Sequence, residues 1–175
     1  DVPGTLTHAR RALDVAPRDD YLTRGGAAGF LGLAAWTSGD LDTAQRTYAE
    51  GMASLLKAGN VSDAINGAIT LGAIRMAQGR LRQAMRTYER GLRLATEPGA
   101  PVLRGAADVH VGMSEVCREY NDLHAATRNL FRSEELGEHA GFPQNRYRWR
   151  VAMARLREVE GDLDGALALL DEAER

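Results

Sequence analysis

A short phrase recurs four times along the chain, and a repeat of this kind limits the fold more than any other feature of the sequence. It reads Gly39-Asp40-Leu41-x-x-Ala44-x-x-x-Tyr48, then Gly79-Arg80-Leu81-x-x-Ala84-x-x-x-Tyr88, then Asn121-Asp122-Leu123-x-x-Ala126-x-x-x-Leu130, then Gly161-Asp162-Leu163-x-x-Ala166-x-x-x-Leu170. The leucines stand 40, 42 and 40 residues apart. A large and a small residue precede each turn by eight and seven positions: Leu31-Gly32, Leu71-Gly72, Met113-Ser114 and Met153-Ala154. A further small residue closes each unit at Gly51, Gly91, Ser133 and Ala173.

Apolar spacings of 3, 4 and 7 are helical, and no strand pattern is present. Each unit therefore reads as two antiparallel helices. Small residues let the two backbones approach, and Leu, Met and Tyr fill the groove to the next pair. Glycines inside the expected helices, such as Gly29, Gly32, Gly51, Gly67, Gly72, Gly91, Gly105 and Gly112, each cost about 1 kcal/mol against alanine. Close helix contacts must offset that loss, because a domain's net stability is only about 5–15 kcal/mol.

Boundary signals complete the reading. Gly59 ends a helix and Asn60 caps the next, with Asp63 in its first turn. Pro98-Gly99-Ala100-Pro101 is a loop whose Pro101 suits a helix start, and Gly141-Phe142-Pro143 does the same. Helices are expected near 5–16, 20–38, 40–58, 60–78, 80–96, 101–119, 122–140, 143–160 and 162–175. The first repeats the second-helix pattern at Leu6, Ala9, Leu13 and Ala16, so it is half of an earlier unit. The expected fold is all-α: one domain over 1–175, a right-handed superhelical solenoid of antiparallel pairs. It comprises a half repeat 1–17 and repeats of about 18–59, 60–99, 100–141 and 142–175.

Charge and cysteine usage narrow the function. A net charge of −2 argues against a nucleic-acid grip, which needs a basic excess. The single cysteine, Cys117, cannot form an internal disulfide and fits a reducing cytoplasm. The longest uncharged stretch, Gly25 to Gly39, falls short of the roughly 20 residues a spanning helix needs. The chain starts at Asp1 without methionine and ends inside a helical pattern, so flanking modules are expected.

The Leu-Gly, Ala and Tyr spacing resembles the tetratricopeptide (TPR) motif. The period of about 40 is longer than the usual ~34 residues, and Leu56 and Thr96 replace the motif's terminal proline. His8-Ala9-Arg10-Arg11-Ala12-Leu13 with Pro17-Arg18-Asp19-Asp20, Leu31-Gly32-Leu33-Ala34 with Ser38-Gly39-Asp40-Leu41, and Gln78-Gly79-Arg80-Leu81 resemble the repeat region of the large ATP-dependent LuxR-type regulators, the MalT-like or LAL family. The resemblance implies repeats between a nucleotide-binding module and a C-terminal helix-turn-helix, with a sugar inducer bound by the repeats in the maltose-responsive member. This chain shows no G-x-x-x-x-G-K-[ST] loop and no basic recognition helix. No cofactor is expected, and DNA binding would belong to a further domain.

In TPR-like repeats the first helix of each pair lines the concave face. By position that face holds Trp36 and Leu33; Asn66, Ile69 and Met76; Asp108, Glu115, Arg118 and Glu119; and Arg148, Arg155 and Glu158. An aromatic platform beside Asn, Asp, Glu and Arg suits a small effector or a peptide. A plainer reading of the same residues is a Glu115–Arg155 salt bridge between adjacent helices, with Trp36 as filler. Arg82, Arg86, Arg90 and Arg93 form a stripe best read as a solvated face. His110 and Cys117 share a helical face but are too few for a zinc site; both are read as core, and Ser114 as a buried spacer. Gly25-Gly26-x-x-Gly29-x-x-Gly32 resembles a dinucleotide fingerprint yet follows no strand, which removes its meaning. No acid, base or nucleophile constellation emerges. The expectation is a non-catalytic sensor or scaffold of a bacterial LuxR-type regulator. The alternative is a general TPR scaffold gripping a partner peptide, and self-association through the solenoid ends is compatible with either.

Overall fold

The computed structural model describes residues 2–174, and among them every element is helical. The helices are α1 (Val2–Val15), α2 (Tyr21–Thr37), α3 (Leu41–Lys57), α4 (Val61–Ala77), α5 (Leu81–Ala95), α6 (Ala106–Glu119), α7 (Leu123–Leu136), α8 (Asn145–Val159) and α9 (Leu163–Ala173). The chain divides into two compact units, residues 1–87 and 88–175, with the division inside α5. The last expected helix was to reach Arg175, which, like Asp1, lies outside the described residues.

One turn is used repeatedly because one local chemistry is repeated. Gly39, Gly59, Gly79 and Gly161 have φ of 84°, 74°, 70° and 84°, and Asn121 takes the same place at 58°. Only glycine, or asparagine at modest cost, enters this left-handed region readily. The next residue's N–H then returns to the finished helix, as Asp40 does to the Ala35 carbonyl (2.9 Å) and Asp122 to that of Cys117 (2.9 Å). That same residue caps the new helix: Asp40 Oδ1 accepts from the Thr43 N–H at 3.0 Å, and Asp122 Oδ1 from that of Ala125 at 2.9 Å. Asn60 caps α4 through the Asp63 N–H at 3.2 Å, as its sequence context predicts. Arg80 has no capping side chain of this type and reaches back to Gln45 Oε1 (2.8 Å).

Two helix boundaries depart furthest from expectation, while α1 starts at Val2 instead of near 5 and α8 at Asn145 instead of at Pro143. Pro101 does not start α6; the helix begins at Ala106, behind a left-handed Gly105 at φ 103°. The intervening loop is held by backbone bonds from Leu103 N–H to the Ala95 carbonyl and from Gly105 N–H to that of Ala140, each 2.8 Å. Those bonds replace the helical ladder that Pro101 would have opened. α7 stops at Leu136 instead of 140, because Gly137 at φ 67° breaks it before a single 3₁₀ turn at Glu138–Ala140.

In residues 1–87 the pair α2/α3 meets through glycine. A Cβ on Gly51 would stand 3.1 Å from the Gly25 carbonyl oxygen, and one on Gly25 would stand 2.8 Å from Leu55 Cγ. A Cβ on Gly32 would collide with the Tyr48 ring at 2.5 Å. Tyr48 lies over Gly32 of its own pair and packs against the cluster that Met52 forms with Ala68 and Leu71 of the following helix, so it joins one pair to the next. Arg75 of α4 hydrogen-bonds to Thr87 of α5, and Gln78 donates to the Leu41 carbonyl at 3.2 Å.

In residues 88–175 the corresponding wedge is Tyr88, buried against Gly112. Val109, Val116, Leu130 and Leu156 form the interior with Ala126 and Ala154. Ser114 is buried as a spacer, and Ser133 is likewise 1% exposed.

Glycine contacts give a paired test. Gly32→Ala is expected to lower unfolding free energy by about 1–3 kcal/mol, through overpacking against Tyr48. Gly29→Ala, whose Cβ would meet nothing within 4 Å, is expected to raise it by up to about 1 kcal/mol through helix propensity. Urea denaturation of both variants measures the difference in sign.

Candidate functional site

α2 and α4 are the first helices of successive pairs, and α3 packs behind both. Among the described residues α2 and α4 themselves make only marginal contact, so a groove remains between them. Its volume is about 300 Å³. The α2 wall is Gly26, Gly29, Phe30 and Leu33; the floor is Tyr48, Gly51, Met52 and Leu55 of α3; the α4 wall is Asp63, Asn66, Gly67 and Thr70.

The groove exists because side chains are missing where a helix pair would otherwise close. Gly26 and Gly29 face open space. Phe30 and Leu33 are 59% and 43% exposed, an aromatic and an aliphatic residue one helical turn apart. Opposite them, Asp63, Asn66 and Thr70 place polar groups at helical spacing along α4. The Asp63 carboxylate is already held by Asn60 Nδ2 at 2.7 Å, and the Thr70 hydroxyl donates to the Asn66 carbonyl at 3.3 Å. The Asn66 side chain is exposed and carries both donor and acceptor. Burial raises the Tyr48 phenol above its ordinary pKa, with Thr70 partly opposing the shift, so it remains a neutral hydrogen-bonding group. One apolar wall faces one polar wall, an arrangement that orients an amphipathic ligand. A wider hollow of about 680 Å³ adjoins it between α1 and α2, lined by His8, Ala9 and Ala12 and bounded by the same Phe30.

At the same repeat register, residues 88–175 are built differently. Asp108 and Arg148 occupy the positions of Gly26 and Asn66, and Glu115 and Arg155 those of Leu33 and Ala73. Here the first helices α6 and α8 pack directly on each other. Arg148 Nη1 meets Asp108 Oδ1 at 2.9 Å, and the Phe142 N–H donates to Asp108 Oδ2 at 2.8 Å. Arg155 Nη1 meets Glu115 Oε2 at 2.8 Å, and Arg118 adds bonds of 3.3 Å to Glu115 and 2.6 Å to Glu119. Charge pairs thus bridge the helices where residues 1–87 leave a gap. Burial, reinforced by the nearby Glu115 carboxylate, pushes the Tyr88 phenol well above its ordinary pKa.

The residues expected to form one surface therefore fall into distinct groups. Asn66 lines the groove. Asp108 is wholly buried and engaged as a strut, not presented to a ligand; Arg148 is its partner. Glu115, Arg118 and Arg155 form one ion-pair network, including the Glu115–Arg155 bridge that the sequence offered as the plainer reading. Trp36 and Met76 are half-buried and line neither the groove nor the hollow beside it. Sequence reasoning missed Phe30, although a signal was available: its repeat equivalents are the smaller Thr70, Gly112 and Ala152. The arginines at 82, 86, 90 and 93 are all exposed.

His110 and Cys117 are joined by Asn129, whose Oδ1 lies 2.9 Å from His110 Nδ1 and whose Nδ2 approaches Cys117 Sγ at 4.0 Å. Burial lowers the His110 pKa, partly offset by Asn129, and burial raises that of the Cys117 thiol. Among the described residues no group of three or more His, Cys, Asp or Glu could hold a metal. No helix there is long and apolar enough to cross a membrane.

The family model of the MalT-like TPR region matches residues 1–175. The chain belongs to the MalT-like TPR family. The MalT-like TPR chain also shares its fold with a solved structure titled "Crystal structure of BtubC (BKLC) from P. vanneervenii", at a TM-score of 0.70 and 16% identity, over 98% of this chain and 69% of the other. At that identity the likeness concerns the helical-repeat fold alone. No curated protein matches this MalT-like TPR chain in sequence.

Two measurements probe this chemistry. Arg148→Ala strands the buried Asp108 carboxylate and is expected to cost about 3–5 kcal/mol, whereas Arg155→Ala, at a 53% exposed side chain, should cost at most about 1 kcal/mol; denaturant titration compares them. His110, with its pKa lowered on folding, contributes stability that is present above the ordinary histidine pKa of about 6.5 and is lost as pH falls through its folded value. The melting temperature should fall on acidification through that window, and His110→Gln should flatten the slope.

Proposed function

We propose that this chain is a non-catalytic sensor and scaffold segment of a LuxR-type transcription regulator, and that the groove between α2 and α4 binds its effector or partner. The observation that carries the proposal is the groove: an exposed Phe30–Leu33 wall opposite Asn66 and Thr70, on the first helices of successive pairs in a chain of the MalT-like TPR family. Binding there would set the spacing of α2 and α4, which little direct contact opposes. A change in helix spacing is a mechanical signal to whatever modules the repeats join. The ion pairs between α6 and α8 suit the complementary task of keeping a rigid lever.

In this reading ATP and DNA are handled by other modules of a cytoplasmic regulator, and the repeats themselves need no cofactor. Self-association through the solenoid ends belongs to the same proposal. A general scaffold gripping an extended peptide is the second reading, favoured by the exposed Phe30 and Leu33. It is weakened because Asn66 does not recur: its repeat equivalents are Gly26, Asp108 and Arg148.

A thermal-shift screen against sugars, nucleotides and small metabolites tests the proposal, since a ligand that binds only the folded chain raises its melting temperature. Gly29→Leu should fold, as that position faces open space, and should abolish a hit by filling the groove. A hit unaffected by Gly29→Leu sinks the assignment of the site. A full-length gene with neither a nucleotide-binding nor a DNA-binding module sinks the regulatory reading.

A further inference from the structure

The groove between α2 and α4 is lined by a single formal charge, the carboxylate of Asp63. The three helices that build it do carry cations, but each is held elsewhere. Arg24 of α2 donates through Nη1 to the Leu13 and Ala16 carbonyls, at 3.2 and 3.4 Å. On α3, Arg46 donates to Thr43 Oγ1 at 3.4 Å, and Lys57 Nζ lies 5.2 Å from the centroid of the Tyr21 ring. Arg75 of α4 is engaged with Thr87 of α5. No arginine or lysine lines the groove to receive a phosphate or a carboxylate.

Two exposed acceptors stand open on the α4 wall. Asp63 Oδ2 accepts from Asn60 Nδ2 at 2.7 Å, while Asp63 Oδ1 has no hydrogen-bond or ion-pair partner among the described residues. Asp63 lies in the first turn of α4, where a carboxylate suits the helix dipole; that role leaves Oδ1 open to a ligand. The Asn66 side-chain amide is likewise unbonded among the described residues, since Asn66 is engaged only through its backbone. Residues three apart on a helix have Cβ atoms about 5–6 Å apart, so one small donor can reach both. Across the groove stand the exposed Phe30 and Leu33, above the floor formed by Met52 and Leu55.

We propose that the effector of this groove is a small organic ammonium ion, a primary amine on a short aromatic or aliphatic body. The ammonium is received by Asp63 Oδ1 and the Asn66 side-chain carbonyl, and the body covers Phe30 and Leu33. An ammonium group has three donors and no acceptor, which suits a wall whose open charge is a carboxylate. An anion would face Asp63 with no cation to offset it, and a zwitterion would bring the same repelled carboxylate. A neutral alcohol would cover the apolar wall but make no charge-assisted bond to Asp63. The inference rests on the groove being the effector site and adds the charge class of that effector.

Isothermal titration calorimetry of the chain tests it, with phenethylamine and hexylamine compared with the alcohol and the carboxylate of each body at neutral pH. The members of each set differ only in the charge of the head group. At least one amine is expected to bind at millimolar concentration or below, more tightly than its alcohol by about tenfold, equivalent to about 1.4 kcal/mol. Its carboxylate should give no saturable heat. Asp63→Asn keeps an acceptor for Asn60 and should bring the amine to the level of the alcohol. Gly29→Leu should abolish binding of both. The proposal is overturned if neither amine binds, if an alcohol or carboxylate binds as tightly as its amine, or if Asp63→Asn leaves the preference intact. Binding without preference for the amine that Gly29→Leu abolishes overturns the charge class and leaves the groove as the site. Binding of an amine that Gly29→Leu leaves unchanged overturns both.

Discussion

Close approach of paired helix backbones is the constraint on which the rest of this structure depends. Gly51 meets the Gly25 carbonyl where a Cβ would be pressed to 3.1 Å from the oxygen, and Tyr48 lies over Gly32 because no Cβ stands there. The tyrosine then packs on the cluster that Ala68 and Leu71 of the next helix form with Met52. One residue thereby carries contact within a pair and contact between pairs. The glycines weaken their helices as isolated segments, but the packing they permit replaces that loss. Gly26 and Gly29 offer the same lack of a side chain to open space, and there it produces a groove.

The two units solve the meeting of successive first helices in opposite ways. Between α6 and α8, Asp108–Arg148 and Glu115–Arg155 pair at equivalent repeat positions, and Asp108 is buried by its partner and by Phe142. Between α2 and α4 the same register holds Gly26 opposite Asn66, which cannot bridge the gap. Breaking a buried pair leaves an uncompensated charge, so the ionic junction resists separation. The glycine-lined junction has no comparable hold. A repeat array with one open and one locked junction carries an exposed groove and an ion-paired contact in different parts of one chain.

The helix pairs were legible in sequence because their causes are local. Left-handed glycines, asparagine and aspartate caps, and small residues at fixed spacing act over a few residues, and they recur where the phrase recurs. Even Asn121, the one non-glycine among these turns, was legible by alignment with Gly39, Gly79 and Gly161. The start of α6 was not legible, because Leu103 and Gly105 are held by Ala95 and Ala140, and the latter is distant in sequence.

What the sequence determined, then, is the unit: its helices, its turns and the face each residue takes, all set by backbone preference and helical period. The tertiary structure alone decided which of those faces are open. Trp36, Asn66, Asp108 and Arg155 occupy corresponding surfaces of first helices, yet Asn66 borders a groove, Asp108 is sealed beneath an arginine and Arg155 is spent on Glu115. Periodicity assigns a side chain its direction. Whether space or a partner lies in that direction depends on residues about forty positions away, and that is settled only when the helices pack.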